Sequence, residues 1–472
     1  MLKPVAVLSL LLTTSSLAAQ EAPPPPVSAA TSDVSAGVAY LMDLYGLSQS
    51  EADERISLEE EVSAFATQLK SSNPDGFGGI WIEHSPVYKI VVAVKDNTDA
   101  QALRKMVSPQ MRRYLQTKKV KFSEAEIEVR IDRVIQALLP LNINYVSYYE
   151  HKNDSLVIET SLDSGVGLIR QALPQDLMSF VQIKKGSVPS QMQATGMQSG
   201  DGVYGGWSFS DSTADASRYV CSFAFNAKDN LNRPIILTAA HCANNPRIYY
   251  QRSGVPHWVS LTFEKEWIGP GTKYDYQFHR TDGLNNGAWV WFDNGPGKID
   301  FKGFRPSDDH TLDSSKNIIA SQSAEGYYAV KGTWGYYDQK VGQVLCKSGR
   351  STGLTCGQIT HGYYTFNGIK GWIETGLSSA FIYAVSGDSG GAVFTEPTTA
   401  GGIKAAGIVT AATIHDPTRN AKGEVNFSGD ERPCLPFMEG NSSYPDVGPD
   451  CKMIHMPIDY VDDQQLITIV TQ

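Results

Sequence analysis

Three residues have the types and the spacing for acyl transfer. Ser389 stands in Gly387-Asp388-Ser389-Gly390-Gly391. A serine hydroxyl is a weak nucleophile near neutral pH. It needs a base for its proton, an acid to orient that base, and donors for the developing oxyanion. The flanking glycines let the backbone turn sharply and bring N–H groups close to a reacting carbonyl, so the amides of Gly387 and Ser389 are the candidate oxyanion donors. His241 is the candidate base: in Leu237-Thr238-Ala239-Ala240-His241-Cys242 an apolar strand runs straight into it. Asp275, in Tyr274-Asp275-Tyr276-Gln277-Phe278, is the candidate acid, because its aromatic and apolar flanks suit a carboxylate buried against an imidazole. It follows His241 by 275 − 241 = 34 residues and precedes Ser389 by 389 − 275 = 114. Asp282, Asp293 and Asp300 are its rivals for that part.

These residues must be held by a rigid frame. Gly-x-Ser-x-Gly alone is shared with the nucleophile elbow of an α/β-hydrolase, which would put Ser389 on a parallel sheet. The surrounding pattern argues otherwise. From Tyr219 onward, short β-rich runs alternate with Gly, Asn, Asp and Ser turns: Tyr219 to Phe225, Ile235 to Thr238, Trp258 to Phe263, Ala288 to Phe292, Tyr327 to Val330 and Gly357 to Thr360. Such runs predict a barrel or sandwich, with a helix only in the last stretch, Ile458 to Val470. The part from 39 to 185 reads as α+β. Helical spacing predicts helices over Ser50 to Lys70, Asp99 to Thr117 and Ser123 to Leu138, and strands at Ile80 to Ile82, Tyr88 to Val94 and Leu156 to Thr160. Residues 20–38, with Pro23 to Pro26, read as a linker, and 186–202 as a boundary and cleavage zone.

The 472 residues suggest two or three domains. A net charge of −10 supplies no counterion-release drive toward nucleic acid, so that partner is not expected. Residues 1–19 read as a secretory signal: Lys3, an apolar run from Val5 to Leu12, then small residues to Ala19. That run is too short to span a bilayer, and no other candidate span is present, so an exported, extracellular protein without membrane association is expected. All six cysteines lie after residue 220, an even number suited to an oxidising compartment. No Cys-x2-Cys pair supports a zinc site, and the chemistry above requires neither metal nor cofactor.

The order His…Asp…Ser is that of chymotrypsin and the reverse of the α/β-hydrolases. The strings resemble the chymotrypsin-like serine peptidases, and among them the α-lytic protease and streptogrisin group. Val203-Tyr204-Gly205-Gly206 is similar to the group's mature N-terminal segment, and Cys346-Lys347-Ser348-Gly349-Arg350-Ser351-Thr352-Gly353-Leu354-Thr355-Cys356-Gly357 to a disulfide-closed loop typical of streptogrisins. The resemblance, with proximity in the chain, implies the pairs Cys221–Cys242, Cys346–Cys356 and Cys434–Cys451. It implies an all-β double β-barrel over 203–472, preceded by an α+β pro-region over 39–185 that aids folding, inhibits, and is then removed. The expected activity is that of a secreted serine endopeptidase acting on protein or peptide substrates through His241, Asp275 and Ser389. The alternative is an inactive homologue used as a binding module. Gly407-Ile408-Val409-Thr410 is similar to the strand that lines the substrate groove, and Tyr383 and Ala384 fall near the side-chain pocket. The sequence departs from the group in two places. Ser378 to Ser386 carries no cysteine, and Ala411 and Ala412 replace small glycines, where their methyls are expected to narrow the groove.

Overall fold

The computed structural model describes residues 34–186 apart from 96–99 and 162, and 199–472 apart from 201–202, 212–219, 253–254, 269–271, 285–286, 294–309, 313–317, 321–324, 350–352, 367–368, 377–383, 385–386, 397–401, 413–417, 420–424, 427–451 and 466. The expected signal segment, most of the linker, most of the cleavage zone, Tyr383 and the Cys434–Cys451 pair lie outside the described residues.

The chain begins with α1 (Ala36–Tyr45), α2 (Gln49–Ser57) and α3 (Glu59–Ser72). Gly46, at φ 64°, ends α1 in the left-handed conformation that glycine tolerates best. Ser48 and Glu51 form a reciprocal capping box that starts α2, and Ser123 and Glu126 do the same for the helix Glu124–Leu138. On α3, Val62, Phe65, Ala66 and Leu69 form one buried stripe, which packs in a shared core with Ile80, Ile90 and Leu115 from the sheet of strands Phe77–Glu83, Lys89–Val94 and Leu115–Lys119. The last of these corrects the helix expected over Asp99 to Thr117. Only Ala100–Lys105 and Pro109–Arg112 are helical. Pro109 lacks the N–H needed to carry a helix through, and Leu115 then enters the core and pairs parallel to Ile90. The helix expected over Ser50 to Lys70 is likewise broken in two at Leu58.

The later half is all-β but for the short helix Tyr460–Gln465. Its first part consists of two five-stranded sheets. One runs Thr262–Trp267, Tyr276–Arg280, Pro234–Thr238, Asn226–Lys228 and Thr468–Ile469. The other contains Val255–Ser260, Pro246–Arg252, Ser208–Asp211 and Val220–Ser222, with Ser199–Gly200 joined to its side. The expected strand Trp258 to Phe263 is therefore two strands. The second part closes on itself. Gly402–Ala412, Ala392–Thr395, Val344–Gly349, Gly353–Phe366, Ile369–Gly376 and Lys452–Pro457 pair in a ring, the last strand returning to the first. A closed ring leaves no free edge.

The two halves of the chain share a sheet. Phe366 pairs with Val146 and Thr365 with Ser147, so the barrel continues into Val146–Glu150, Ser155–Thr160 and Val181–Lys185. Leu41, Val146 and Val157 belong to the same buried core as Val344, Tyr364 and Phe366. Among the described residues no helix is long and apolar enough to cross a membrane.

Candidate active site

The register of two strands brings His241 and Asp275 together. Pro234–Thr238 pairs antiparallel with Tyr276–Arg280, Thr238 opposite Gln277. The chain leaves the first strand toward His241 at the same end where Asp275 enters the second. Asp275 Oδ2 lies 2.8 Å from His241 Nδ1, and Asp275 Oδ1 accepts from the His241 backbone N–H at 3.0 Å. Both side chains are buried. With Nδ1 held by a carboxylate, the ring presents Nε2 as its basic atom. That Nε2 is buried and makes no hydrogen bond in the structure. Asp282 and Asp293 lie further along, at the far end of Tyr276–Arg280 and on another strand, and Asp300 is outside the described residues.

Gln277 was not legible as part of this arrangement. Its Nε2 donates to the carbonyls of Ala239 and Cys242, both at 2.9 Å, clamping the turn that carries His241. The only sequence signal was its place two residues after Asp275, which puts both on one face of an extended chain.

Ser389 belongs to a turn laced to the first half of the β region. Ser222 N donates to Ser389 O at 2.8 Å, Ser222 Oγ to Gly387 O at 2.7 Å, and Thr238 Oγ1 to Ser222 O at 2.7 Å. The Cys221–Cys242 disulfide joins the residue before Ser222 to the residue after His241. Ser389 O sits 3.8 Å from Cys242 Sγ. On its other side the turn is pinned to the strand Gly402–Ala412, with Gly390 N donating to Val409 O at 2.8 Å and Val409 N to Gly391 O at 3.0 Å. Gly390 has φ 81°, and a Cβ there would lie 2.1 Å from Thr238 Oγ1. Gly387 adopts φ 101°. The motif's glycines thus let two strands approach the serine at backbone distance.

Behind Ser389 lies an ion pair that sequence reasoning did not assign. Lys347 Nζ is 3.5 Å from Asp388 Oδ2, with both side chains fully buried, and donates to Gly353 O at 3.0 Å. Burial pushes the lysine pKa below its ordinary value, and the Asp388 carboxylate pulls it back up. Lys347 lies on Val344–Gly349, whose Cys346 is bonded to Cys356.

Thr410, Ala411 and Ala412 end the strand Gly402–Ala412, all buried. Ala412 packs with Ala384, Val409 and Trp334 in the core of the closed barrel. Ala411 belongs instead to the core shared by the two halves, so the two methyls face opposite sides of the strand. A register shift between Val409 and Ala411 turns Ala411 away from the core that holds Val409.

No protein-family model matches the chain. Over 181 residues it is 27% identical to serine protease 2 of Streptomyces fradiae, which spans 38% of this chain and 83% of that protein. Among solved structures, Thermobifida fusca protease A aligns over 58% of this chain and all of its own, at 16% identity and a TM-score of 0.31. The Nocardiopsis protease aligns over 57% and 99% of the two chains, at 15% identity and a TM-score of 0.31. In its closed six-stranded ring, its further β-sheets and this sequence likeness, the chain is similar to the chymotrypsin-like serine peptidases.

Proposed function

We propose that the protein is a secreted endopeptidase made as a pro-enzyme, which cleaves peptide bonds through Ser389, His241 and Asp275 by way of an acyl-enzyme. The observation that carries this reading is the His241 ring, bonded through Nδ1 to Asp275 at 2.8 Å with Nε2 left without a partner beside the Ser389 turn. Nε2 takes the Ser389 proton as Oγ attacks the scissile carbonyl, and Asp275 stabilises the imidazolium that results. The carbonyl oxygen gains a pair of electrons and is held by the amides of Gly387 and Ser389. The imidazolium then gives its proton to the leaving amine, the C–N bond breaks, and Ser389 keeps the acyl group. Water, deprotonated by the same Nε2, attacks the ester and releases the acid.

Substrate runs along Gly402–Ala412, with Thr410 and Ala412 near its side chain and Ala384 behind them. Tyr383 is assigned to the same pocket from the sequence alone. The region 39–185 acts as pro-region, a folding aid and inhibitor removed by cleavage between 186 and 203. Its shared sheet with the barrel at Val146 and Phe366 supports that role. Export is supported by the two disulfides, Cys221–Cys242 and Cys346–Cys356.

Ser389→Ala tests the reading. The variant folds, since a buried hydroxyl is replaced by a smaller methyl, while peptide-amide hydrolysis falls by on the order of 10⁴- to 10⁶-fold. A fluorophosphonate probe labels the native chain at Ser389 and leaves the variant unlabelled. Hydrolysis retained by the variant overturns the assignment. A native chain, freed of residues 1–202, that neither reacts nor hydrolyses is the inactive binding module.

A further inference from the structure

Two buried carboxyls tie the N-terminal region to the barrel, each reaching across to the backbone of the other half. Glu396, just after the barrel strand Ala392–Thr395, sits at the N-terminus of α1. Its Oε2 accepts from Gly37 N at 2.7 Å, and Val38 N and the Ser35 side chain also donate to it. It therefore caps a helix from outside that helix's own half, for the Ser35 side chain makes no cap bond itself. Gly37 is required by the close approach: a Cβ there would lie 2.1 Å from Glu396 Oε2. In return Glu59, the first residue of α3, accepts from Val344 N at 2.9 Å through Oε1. Gln343 completes the joint, donating through Nε2 to Glu59 O at 2.8 Å and to Ser63 Oγ at 2.7 Å.

Among the described residues no ion pair is made by Glu59 or Glu396, and both are buried. Glu396 Oε1 has no hydrogen-bond partner, and its Oε2 lies 3.2 Å from the disulfide sulfur of Cys346. The titratable groups that face Glu396 are Glu59, Asp53 and Tyr328; those that face Glu59 are Glu396 and Tyr88. Arg55 stands over the far side of Tyr88, 4.7 Å from the ring centroid, and bonds to His84 O. The pocket is acidic and buried, and an orphaned oxygen there is cheaper to leave protonated than charged.

We infer that Glu59 and Glu396 form a proton-operated latch: they are seated as neutral acids when the N-terminal region is docked, and they release it as the medium turns alkaline. This rests on the reading of 39–185 as a pro-region and adds the condition for its release. Burial raises Glu396 to about 7 and Glu59 well above its ordinary value, whereas both return toward 4.5 once hydrated. A group raised on docking supports the docked state fully below 4.5 and loses that support as pH rises through the docked value. Each then weakens docking about tenfold per pH unit across that window. Two histidines at the same junction oppose them. His84, bonded through Nε2 to Gly342 O at 2.8 Å, is lowered to about 3 by burial, and His151 to about 4. They weaken docking as pH falls below 6.5, and so offset the carboxyls between 4.5 and 6.5. Above 6.5 the histidines are neutral in both states and the carboxyls act alone.

The test uses the whole chain carrying Ser389→Ala, so that it stays intact. Hydrogen exchange is followed at the Gly37 and Val344 amides, the donors to the two carboxyls, and corrected for the intrinsic rate. The opening constant of both is expected to rise about tenfold or more from pH 6.5 to 8. The amides of Val91 and Val92, inside the N-terminal region's own sheet, are expected to stay level. Adding Glu59→Gln and Glu396→Gln keeps an acceptor for each amide and removes the proton, so the rise disappears. A flat profile without the glutamines, or the same rise with them, overturns the latch. If the double variant fails to fold, Glu396→Gln alone is expected to reduce the rise between pH 6.5 and 7, and an unchanged rise counts against the latch. Mass spectrometry of the active chain separates this from the reading it rests on. A chain never cut between 186 and 203 refutes the pro-region but leaves the exchange result standing.

Discussion

Lys347→Met removes the ammonium behind the Ser389 turn while keeping most of the side-chain volume. Lys347 and Asp388 are fully buried at 3.5 Å, so the attraction lost is about 5 kcal/mol at an effective dielectric constant near 20. Part of that is offset because the lysine no longer pays its desolvation, yet Asp388 keeps its own. Breaking one side of a buried pair in this way costs about 3–5 kcal/mol. Asp388 cannot simply turn away: Gly349 is packed so closely that a Cβ there would lie 2.7 Å from Asp388 Oδ1. Its neighbour Ser389 is therefore expected to shift with it. Denaturant unfolding is expected to show the 3–5 kcal/mol loss, and fluorophosphonate labelling of Ser389 to slow about 100-fold, as displacements near 1 Å do. The combination Lys347→Met with Asp388→Asn removes both charges and is expected to recover at least half of the lost stability. A single variant as stable and reactive as the native chain refutes the reasoning. So does a double variant whose loss equals the sum of the two single losses, since uncoupled residues add.

Two further outcomes follow from the same geometry. Asp275→Asn keeps the shape but offers the His241 ring the wrong tautomer; kcat is expected to fall about 10⁴-fold with little change in KM, and a change confined to KM would contradict the orienting role. Glu374 is fully buried, which raises its pKa, but Lys452 and His361 outweigh burial and hold it at about 2. Its contribution is present above the ordinary 4.5 and lost as pH falls through about 2, on the order of 3 kcal/mol in all. Glu374→Gln is expected to flatten the acid limb of a plot of melting temperature against pH, and an unchanged limb would show that the pair contributes nothing.

His241, Asp275 and Ser389 were legible because each lies in a short string whose neighbours are also needed: a disulfide cysteine, aromatic flanks, glycines at close approach. Of the six strands of the closed ring, the β-rich runs gave only Gly357 to Thr360, within the longer Gly353–Phe366, and the resemblance gave Gly407 to Thr410; Val344–Gly349, Ile369–Gly376, Ala392–Thr395 and Lys452–Pro457 were not read. Gln277, Ser222 and Lys347 were not legible, because their parts are set by strand register and by contacts over long separations, 165 residues between Ser222 and Gly387. Nothing in the sequence singled out Glu59 or Glu396; the packing of α1 and α3 on the barrel buries them. The strand Leu115–Lys119 was missed because Leu115 is its one apolar residue and leaves no period to read; the parallel pairing with Lys89–Val94 decides the matter.

The lacing of the Ser389 turn bears on why such a chain would need its N-terminal region. His241 and Asp275 come from one sheet system and Ser389 from the other, and the bonds that align them join Ser222 to Gly387 and to Ser389. None of these bonds is rewarded until long loops have closed, which makes such a fold slow to form. The N-terminal region has short-range structure of its own: capped helices and strand pairs such as Val146–Glu150 with Ser155–Thr160. Built first, it offers Val146 and Ser147 to the end of the strand Gly353–Phe366 and Glu59 to the start of Val344–Gly349. The two strands so contacted are neighbours in the barrel, and one of them carries Lys347. On this reading the same contacts that template the barrel also fix the support of Asp388, so the nucleophile is set in place by the part of the chain that is later released.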